Sequence, residues 1–390
     1  MGSTLRVAIV GGGIGGLALA HGLLAAGVDV RLYERDPSAR HRRQGYRIHI
    51  SDVGNQALAE VLPAAVHRRV VATATRPGDL VAAFDSQLNP LFQQTFPVTD
   101  PDAVTSVDRY AFRRALLTGL DETVCFGREF TGYVETPDGE VELRFADGHS
   151  VTADVLVGAD GVGSAVRAQL LPDFDVIDIG VRCIYGKIHL ADVAREQVPP
   201  DFLRGFCSLT DGQGLGAAFA PVLFREPPAE YGDYLMAVLT GTSETLGRDD
   251  DELFALSPTD LWSVAVEQTA NWHPAVRGLV AAADADAAFP ITLRTCTRIE
   301  PWPTGRVTVL GDAIHPMTPA AGAGANTALR DAARLTDALV SVREGAALGD
   351  ALADYEAAMI TYGLGVVAES LRNAERMFTM RITAAPPLRR

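Results

Sequence analysis

The residues best placed to do chemistry in this chain are glycines. An apolar run, Val7, Ala8, Ile9 and Val10, stops at Gly11, Gly12 and Gly13 and continues through Ile14, Gly15 and Gly16. Gly11, Gly13 and Gly16 keep a GxGxxG spacing. A second apolar run, Asp29 to Tyr33, ends at Glu34, eighteen residues after Gly16. Strand, glycine turn, helix and a second strand closed by an acid form the βαβ unit that holds the ADP part of a dinucleotide. One glycine permits the tight turn, another lets the backbone approach a pyrophosphate, and the third lets helix and strand pack closely. Free N–H groups and the dipole at the helix start favour the phosphates. Glu34 is placed to accept hydrogen bonds from ribose hydroxyls.

Two later stretches agree with the first. Asp154 to Gly158 reads as a strand that stops at Ala159, Asp160 and Gly161, with a helix starting near Ser164, a natural N-cap. Val307 to Leu310 reads as a strand that stops at Gly311 and Asp312, followed by His315 and Pro316. Pro319 to Asn326, a loop of small residues that includes Gly322, Gly324 and Ala325, then opens a long helix through Leu329, Ala333 and Leu339. This pattern suits a second contact with an extended cofactor. Asp312 fits the sugar-like chain of a flavin, and N–H groups near Gly324, Ala325 and Asn326 fit an electron-rich ring edge. His315 reads as a residue that shapes its loop rather than one that catalyses.

The elements around these residues set further bounds. With 390 residues, two domains or one elaborated domain are expected. An apolar share of 47% supports real cores, and a net charge of −15 argues against a nucleic-acid partner. Cys125, Cys183, Cys207 and Cys296 lie far apart with no metal-binding spacing, as expected of free thiols in a reducing cytoplasm. The uncharged stretch between Arg6 and Asp29 is too rich in glycine for a membrane helix, so no membrane partner is expected. Gly212 to Gly216 reads as a hairpin loop rather than a second nucleotide site. Strands are predicted over 181–190, 214–223, 231–239 and 289–297, with alternation that buries one face. Their polar residues Arg182, Tyr185 and His189, together with Arg204, are candidates for a ligand pocket. The segment from Leu348 onward reads as an amphipathic helical stretch.

The three motifs together resemble the single-component FAD-dependent aromatic hydroxylases, the group A flavoprotein monooxygenases typified by p-hydroxybenzoate hydroxylase. Gly11 to Gly16 with Glu34 is similar to their ADP-binding motif. Asp160 and Gly161, with Ser164 and Arg167, are similar to their DG motif. Gly311 and Asp312 through Asn326 are similar to their GD motif, in which the Asp contacts the ribityl chain. Arg109 resembles their arginine near the FAD, and Arg43 or Arg47 sits where they keep another. The order matches along nearly the whole chain, in the manner of the shorter members. It departs at Ala323, where many relatives carry Gln, and at Ile314, where many carry Ala.

The resemblance implies an α/β fold: a Rossmann-like FAD-binding domain, an interleaved β-sheet substrate domain and C-terminal helices. The expected division is 1–75, 100–178 and 298–345 for FAD, 76–99 and 179–297 for substrate, and 346–390 for the helical segment. It implies bound FAD, transient NADPH or NADH, O2, and hydroxylation of an aromatic or polyketide-like molecule through a C4a-hydroperoxyflavin. The expected protein is a cytoplasmic monomer or homodimer. Arg35, Arg40, Arg42, Arg43 and Arg47 form a basic cluster suited to the phosphates of NADPH. Epoxidation, Baeyer–Villiger insertion and a non-catalytic FAD-binding protein stay open at this point.

Overall fold

Apolar residues in short runs build a sheet of five parallel strands. In spatial order these are Val307–Val309, Val155–Gly158, Arg6–Val10, Asp29–Glu34 and Val124–Phe126. Ile9, Leu32, Val155, Val157 and Val309 are completely enclosed, as expected where helices cover both faces of a parallel sheet. Helix Ile14–Ala25 packs against helix Gly324–Arg343, so the two glycine-rich turns that begin them lie on one side of the sheet. The computed structural model describes residues 5–41, 45–98, 100, 103–228, 230 and 232–378.

A second sheet has seven strands, ordered Asp284–Thr295, Ile177–His189, Tyr234–Thr242, Gly216–Val222, Gly205–Thr210, Leu80–Asp85 and Pro90–Thr95. Its pairs are antiparallel except Gly205–Thr210 with Leu80–Asp85. The segment Asp211 to Leu215 turns the hairpin between Thr210 and Gly216, as its glycines lead one to expect. Strand Ile177–His189 begins earlier than the periodicity indicates, because a register shift between Asp178 and Arg182 interrupts the alternation.

Side-chain alternation gives the large sheet two unlike faces. Ile184, Cys207, Phe219, Leu235 and Leu239 form a dry core with Leu261, Trp262, Val276 and Leu279 of helices Pro258–Gln268 and Pro274–Ala281. The other face carries Tyr185, Met236, Val238 and Phe289 and meets Tyr46 and Ala111. Strand Arg47–His49 pairs with Ser106–Asp108 and lies against strand Gly216–Val222. Helix Leu348–Met377 packs along Gly324–Arg343 and the turn Pro319–Ala321. The Tyr355 hydroxyl donates to the Val309 carbonyl at 3.0 Å, fixing that helix to the parallel sheet.

Candidate active site

All three glycine-acid motifs leave the parallel sheet from the carboxyl ends of adjacent strands, the position where open α/β sheets bind ligands. Gly11 adopts φ +109°, and a Cβ there would collide with the Ala159 carbonyl. A Cβ on Gly16 would strike the Gly11 carbonyl, whereas a Cβ on Gly13 would meet nothing within 4 Å. The space at Gly13 therefore belongs to something other than protein packing. Helix Ile14–Ala25 starts there without a side-chain cap, leaving the N–H groups of its first turn for an anion. Gly15 faces away, against Leu310 and Ala328.

Glu34 ends its strand buried. It accepts from the Gly12 N–H at 2.8 Å and the Asp36 N–H at 2.9 Å. Arg113 donates to the Gly12 carbonyl at 2.8 Å and lies 3.5 Å from Glu34. The sequence reading passed over Arg113. The available signal was its spacing: Arg109 and Arg113 are four residues apart on helix Arg109–Leu116 and share a face. Arg35, one residue past Glu34, is exposed, as is Arg40. Arg43 lies outside the described residues, together with Arg42.

Asp312 sits deep among protein atoms yet keeps open surface, so it lines a cleft. No protein donor reaches its carboxylate among the described residues. Burial raises its carboxyl above the ordinary range, while His315 and Arg109 pull it down. Arg109 makes no side-chain hydrogen bond among the described residues and stacks 5.8 Å from the Tyr46 ring centroid. An acceptor and a cation whose side chains make no hydrogen bond among the described residues fit the polyhydroxyl chain and phosphates of FAD. Gly322 takes φ +60° to end the turn at Pro319. Helix Gly324–Arg343 then starts, also without a side-chain cap, and Ala325 keeps open surface.

The side chains of Asn326 and Asp160 bond within the protein. The Asn326 carbonyl accepts from the Ser51 N–H at 2.8 Å, and its amide donates to His49 and Gly322 carbonyls at 3.0 Å each. Its side chain is spent on joining the loop to strand Arg47–His49. The Asp160 carboxylate accepts from the Ser164 hydroxyl and the Ala165 N–H, which caps helix Ala165–Leu170. Arg167 carries that helix to the next motif, donating to the Ala313 carbonyl at 2.8 Å. Behind the loop, Asp331 accepts from His315 Nε2 at 2.6 Å, from the Gly311 N–H at 2.7 Å and from the Tyr362 hydroxyl at 2.5 Å.

The cleft continues toward the large sheet. Tyr185 stacks on Phe289, with centroids 5.2 Å apart, and Tyr46 tilts against both rings. Burial raises the phenols of Tyr46 and Tyr185, so both stay protonated at neutral pH. Arg47 is half-buried and lowered to about 10 by burial, so it remains a cation, and its Nε has no hydrogen-bond partner among the described residues. Of the four polar residues nominated from the sequence, Tyr185 alone faces this space. Arg182 points to the opposite face, an odd number of residues away, and pairs with Asp178 and Asp250. Arg204 is bound to Asp79, and His189 lies 3.3 Å from Asp284.

The chain matches the FAD binding domain family over residues 4–194 and 267–370. It is 31% identical to the 3-amino-4-hydroxybenzoate 2-monooxygenase of Streptomyces platensis, over 86% of this chain and 79% of that protein. The chain belongs to the FAD-dependent monooxygenases. Its cofactor is FAD. A solved structure of a candidate FAD-containing monooxygenase from Photorhabdus luminescens superposes with TM-score 0.83 at 33% identity, over 96% of this chain and 99% of that one. The dual O-methyltransferase/FAD-dependent monooxygenase of Cercospora beticola is 32% identical over 95% of this chain. This monooxygenase chain spans about half the length of that relative, 46%. Among the described residues no helix is long and apolar enough to cross a membrane.

Proposed function

We propose that this monooxygenase hydroxylates an aromatic or polyketide-like small molecule with NAD(P)H as reductant and O2 as co-substrate. The observation that carries the reading is the run of neighbours from Asp312 and Arg109 through Tyr46 to the stacked rings of Tyr185 and Phe289. Bound FAD would supply the redox chemistry, taking electrons from NAD(P)H and activating O2. The protein supplies place and dryness. The first turn of helix Ile14–Ala25 would hold the pyrophosphate, Glu34 the ribose and Asp312 the ribityl hydroxyls. Arg113 keeps Gly12 and Glu34 in register for this. The uncapped start of helix Gly324–Arg343 would offer N–H groups to the ring edge. Tyr185, Phe289, Met236 and Val238 keep water from the reacting edge and give a flat ring a surface to lie on.

The same proposal assigns residues 1–75, 100–178 and 298–345 to cofactor binding, 76–99 and 179–297 to the substrate sheet, and 346–390 to a helical segment whose part beyond residue 378 lies outside the described residues. Exposed Arg35 and Arg40 would steer the phosphates of NADPH. The buried thiols of Cys183, Cys207 and Cys296, each pushed up to about 12, are inert and suit a reducing cytoplasm, where the chain acts as a monomer or homodimer. The test is direct. Purified protein should carry yellow flavin, oxidise NAD(P)H faster when an aromatic ligand is present, and incorporate label from isotopic O2 into product. Colourless protein that refuses FAD refutes the reading, and so does product without label.

A further inference from the structure

We infer that His49 Nε2 is the acceptor for a hydroxyl group of the substrate and the base that takes its proton. The inference rests on the hydroxylation proposed above and adds a residue to it.

His49 closes strand Arg47–His49, which pairs with Ser106–Asp108. Side chains alternate along both strands. Ile48 and Val107, opposite one another, join the core around the parallel sheet. Arg47 with Asp108, and His49 with Ser106, therefore turn the other way. That side meets the large sheet, because the Tyr234 hydroxyl donates to Asp108 at 2.7 Å. His49 also borders the loop assigned above to the flavin ring edge. A Cβ on Gly322 would sit 3.4 Å from His49 Cβ and 3.6 Å from its Cδ2, and the Asn326 amide donates to the His49 carbonyl at 3.0 Å. Asp312 borders the same loop at Gly324, where a Cβ would sit 3.7 Å from its Oδ1. The imidazole thus stands where the loop and the large sheet meet, and it keeps open surface.

The hydrogen bond of the ring fixes which nitrogen acts. Nδ1 lies 2.9 Å from the Thr105 carbonyl. A carbonyl only accepts, so Nδ1 carries the hydrogen and donates it. Nε2 then presents a lone pair, and it has no hydrogen-bond partner among the described residues. Burial first, and Arg47 second, hold the imidazole below the ordinary histidine value, against the Thr105 carbonyl and Asp52 at the start of the next helix, so the ring is neutral at neutral pH. His315, behind the same loop, offers no such group: it is sealed, and its Nε2 is bonded to Asp331. In the proton step the substrate O–H bond breaks and an Nε2–H bond forms. The electron pair stays on the substrate oxygen, so the substrate is neither oxidised nor reduced, and it becomes richer in electrons for the oxygen transfer that follows. Arg47, on the same side of the strand, favours the negative charge left on that oxygen. The imidazolium keeps its bond to the Thr105 carbonyl and returns the proton to the product or to water.

The test uses the full-length FAD-loaded protein with naphthol and its methyl ether, which lacks the donor hydrogen, and reads binding from ligand fluorescence. The wild type should bind naphthol about fivefold more tightly than the ether. His49→Leu should abolish that preference, whereas His49→Gln, which keeps an acceptor without basicity, should retain most of it. Both variants should lose about a hundredfold in kcat/KM for NAD(P)H-driven naphthol hydroxylation at neutral pH. The loss should shrink as pH rises toward the ordinary phenol range, about 10, where the substrate ionises unaided. In nitrogen-labelled histidine spectra of the wild type, naphthol and not the ether should shift the His49 Nε2 resonance, which His49→Gln identifies. No preference in the wild type, binding of neither probe, a preference that survives in His49→Leu, or an unmoved resonance would each overturn the acceptor, and the spectra decide the matter even if His49→Leu misfolds. A kcat/KM loss of the same size at every pH, or no loss, would overturn the base. Product without isotopic oxygen refutes the proposed function and the base with it, while the acceptor is judged by binding and spectra without turnover.

Discussion

The two sheets of this protein expose their surfaces in opposite ways. The parallel sheet is enclosed on both faces and exposes only its carboxyl edge, where Gly11–Gly16, Asp160 and Gly311–Asp312 emerge. The large sheet buries one face on helices and leaves part of the other open. An edge site is made of backbone: turns, helix starts and a few acids fix it, and every part depends on strand order. A face site is made of side chains, and its shape changes with single substitutions. The contrast predicts that damage at the edge costs stability and cofactor together, whereas damage on the open face costs ligand affinity alone.

The sharpest way to break this contrast is at Asp331. Asp331→Ala leaves the Gly311 N–H, His315 and the Tyr362 hydroxyl without their shared acceptor. We expect a loss of about 3–5 kcal/mol in thermal unfolding, with flavin content falling in parallel. A variant that keeps its melting temperature but loses FAD would separate the two properties. Gly11→Ala comes next. The positive φ and the Ala159 carbonyl both oppose a Cβ, and we expect about 2–3 kcal/mol of destabilisation with flavin largely absent from purified protein.

Arg113→Met probes the edge more gently. It removes the bond to the Gly12 carbonyl and the contact with Glu34, and should weaken FAD about tenfold in equilibrium dialysis. Arg182→Met tests the packed face of the large sheet. Its partner Asp250 is about half exposed, so the expected loss is about 1–2 kcal/mol, with naphthol affinity unchanged. An altered probe affinity would return Arg182 to the pocket.

The smallest expected effect is a pH dependence. Burial pulls the His315 imidazole down, but Asp331 outweighs it and leaves His315 above its ordinary value. The folded state then binds the proton more tightly than the unfolded chain does. Its contribution is complete below the ordinary histidine value and is lost as pH rises through the higher, folded one. Melting temperature should therefore decline across that window, and the slope should flatten in His315→Gln. An unchanged slope would assign the dependence to other groups.

Much of the edge was legible in the sequence because its signals are local. GxGxxG spacing, a strand-terminal acid and a Ser N-cap each act within a few residues of themselves, so Gly11, Glu34, Ser164 and Asp312 could be picked out without a fold. Arg113 escaped because its partners, Gly12 and Glu34, lie far off in the chain. Asp160 and Asn326 were noticed for the right loops, but their side chains serve a helix cap and a strand junction. On the large sheet, alternation located the strands, yet the face of each residue depended on a register shift near Asp178. Arg182 read as a pocket residue because its partner Asp250 lies far along the chain, and Tyr46 escaped because it meets the sheet from another element.

The sequence by itself determined the cofactor class, the two glycine-rich turns and the existence of a second β-sheet. These follow from backbone conformations and helix starts that short spacings encode. Only the tertiary structure decided which strand face stays open, which arginines are consumed by carboxylates, and that Tyr46, Tyr185 and Phe289 meet in one place. Those outcomes depend on strand order and mostly on contacts between residues far apart in the chain, and no local rule carries that information.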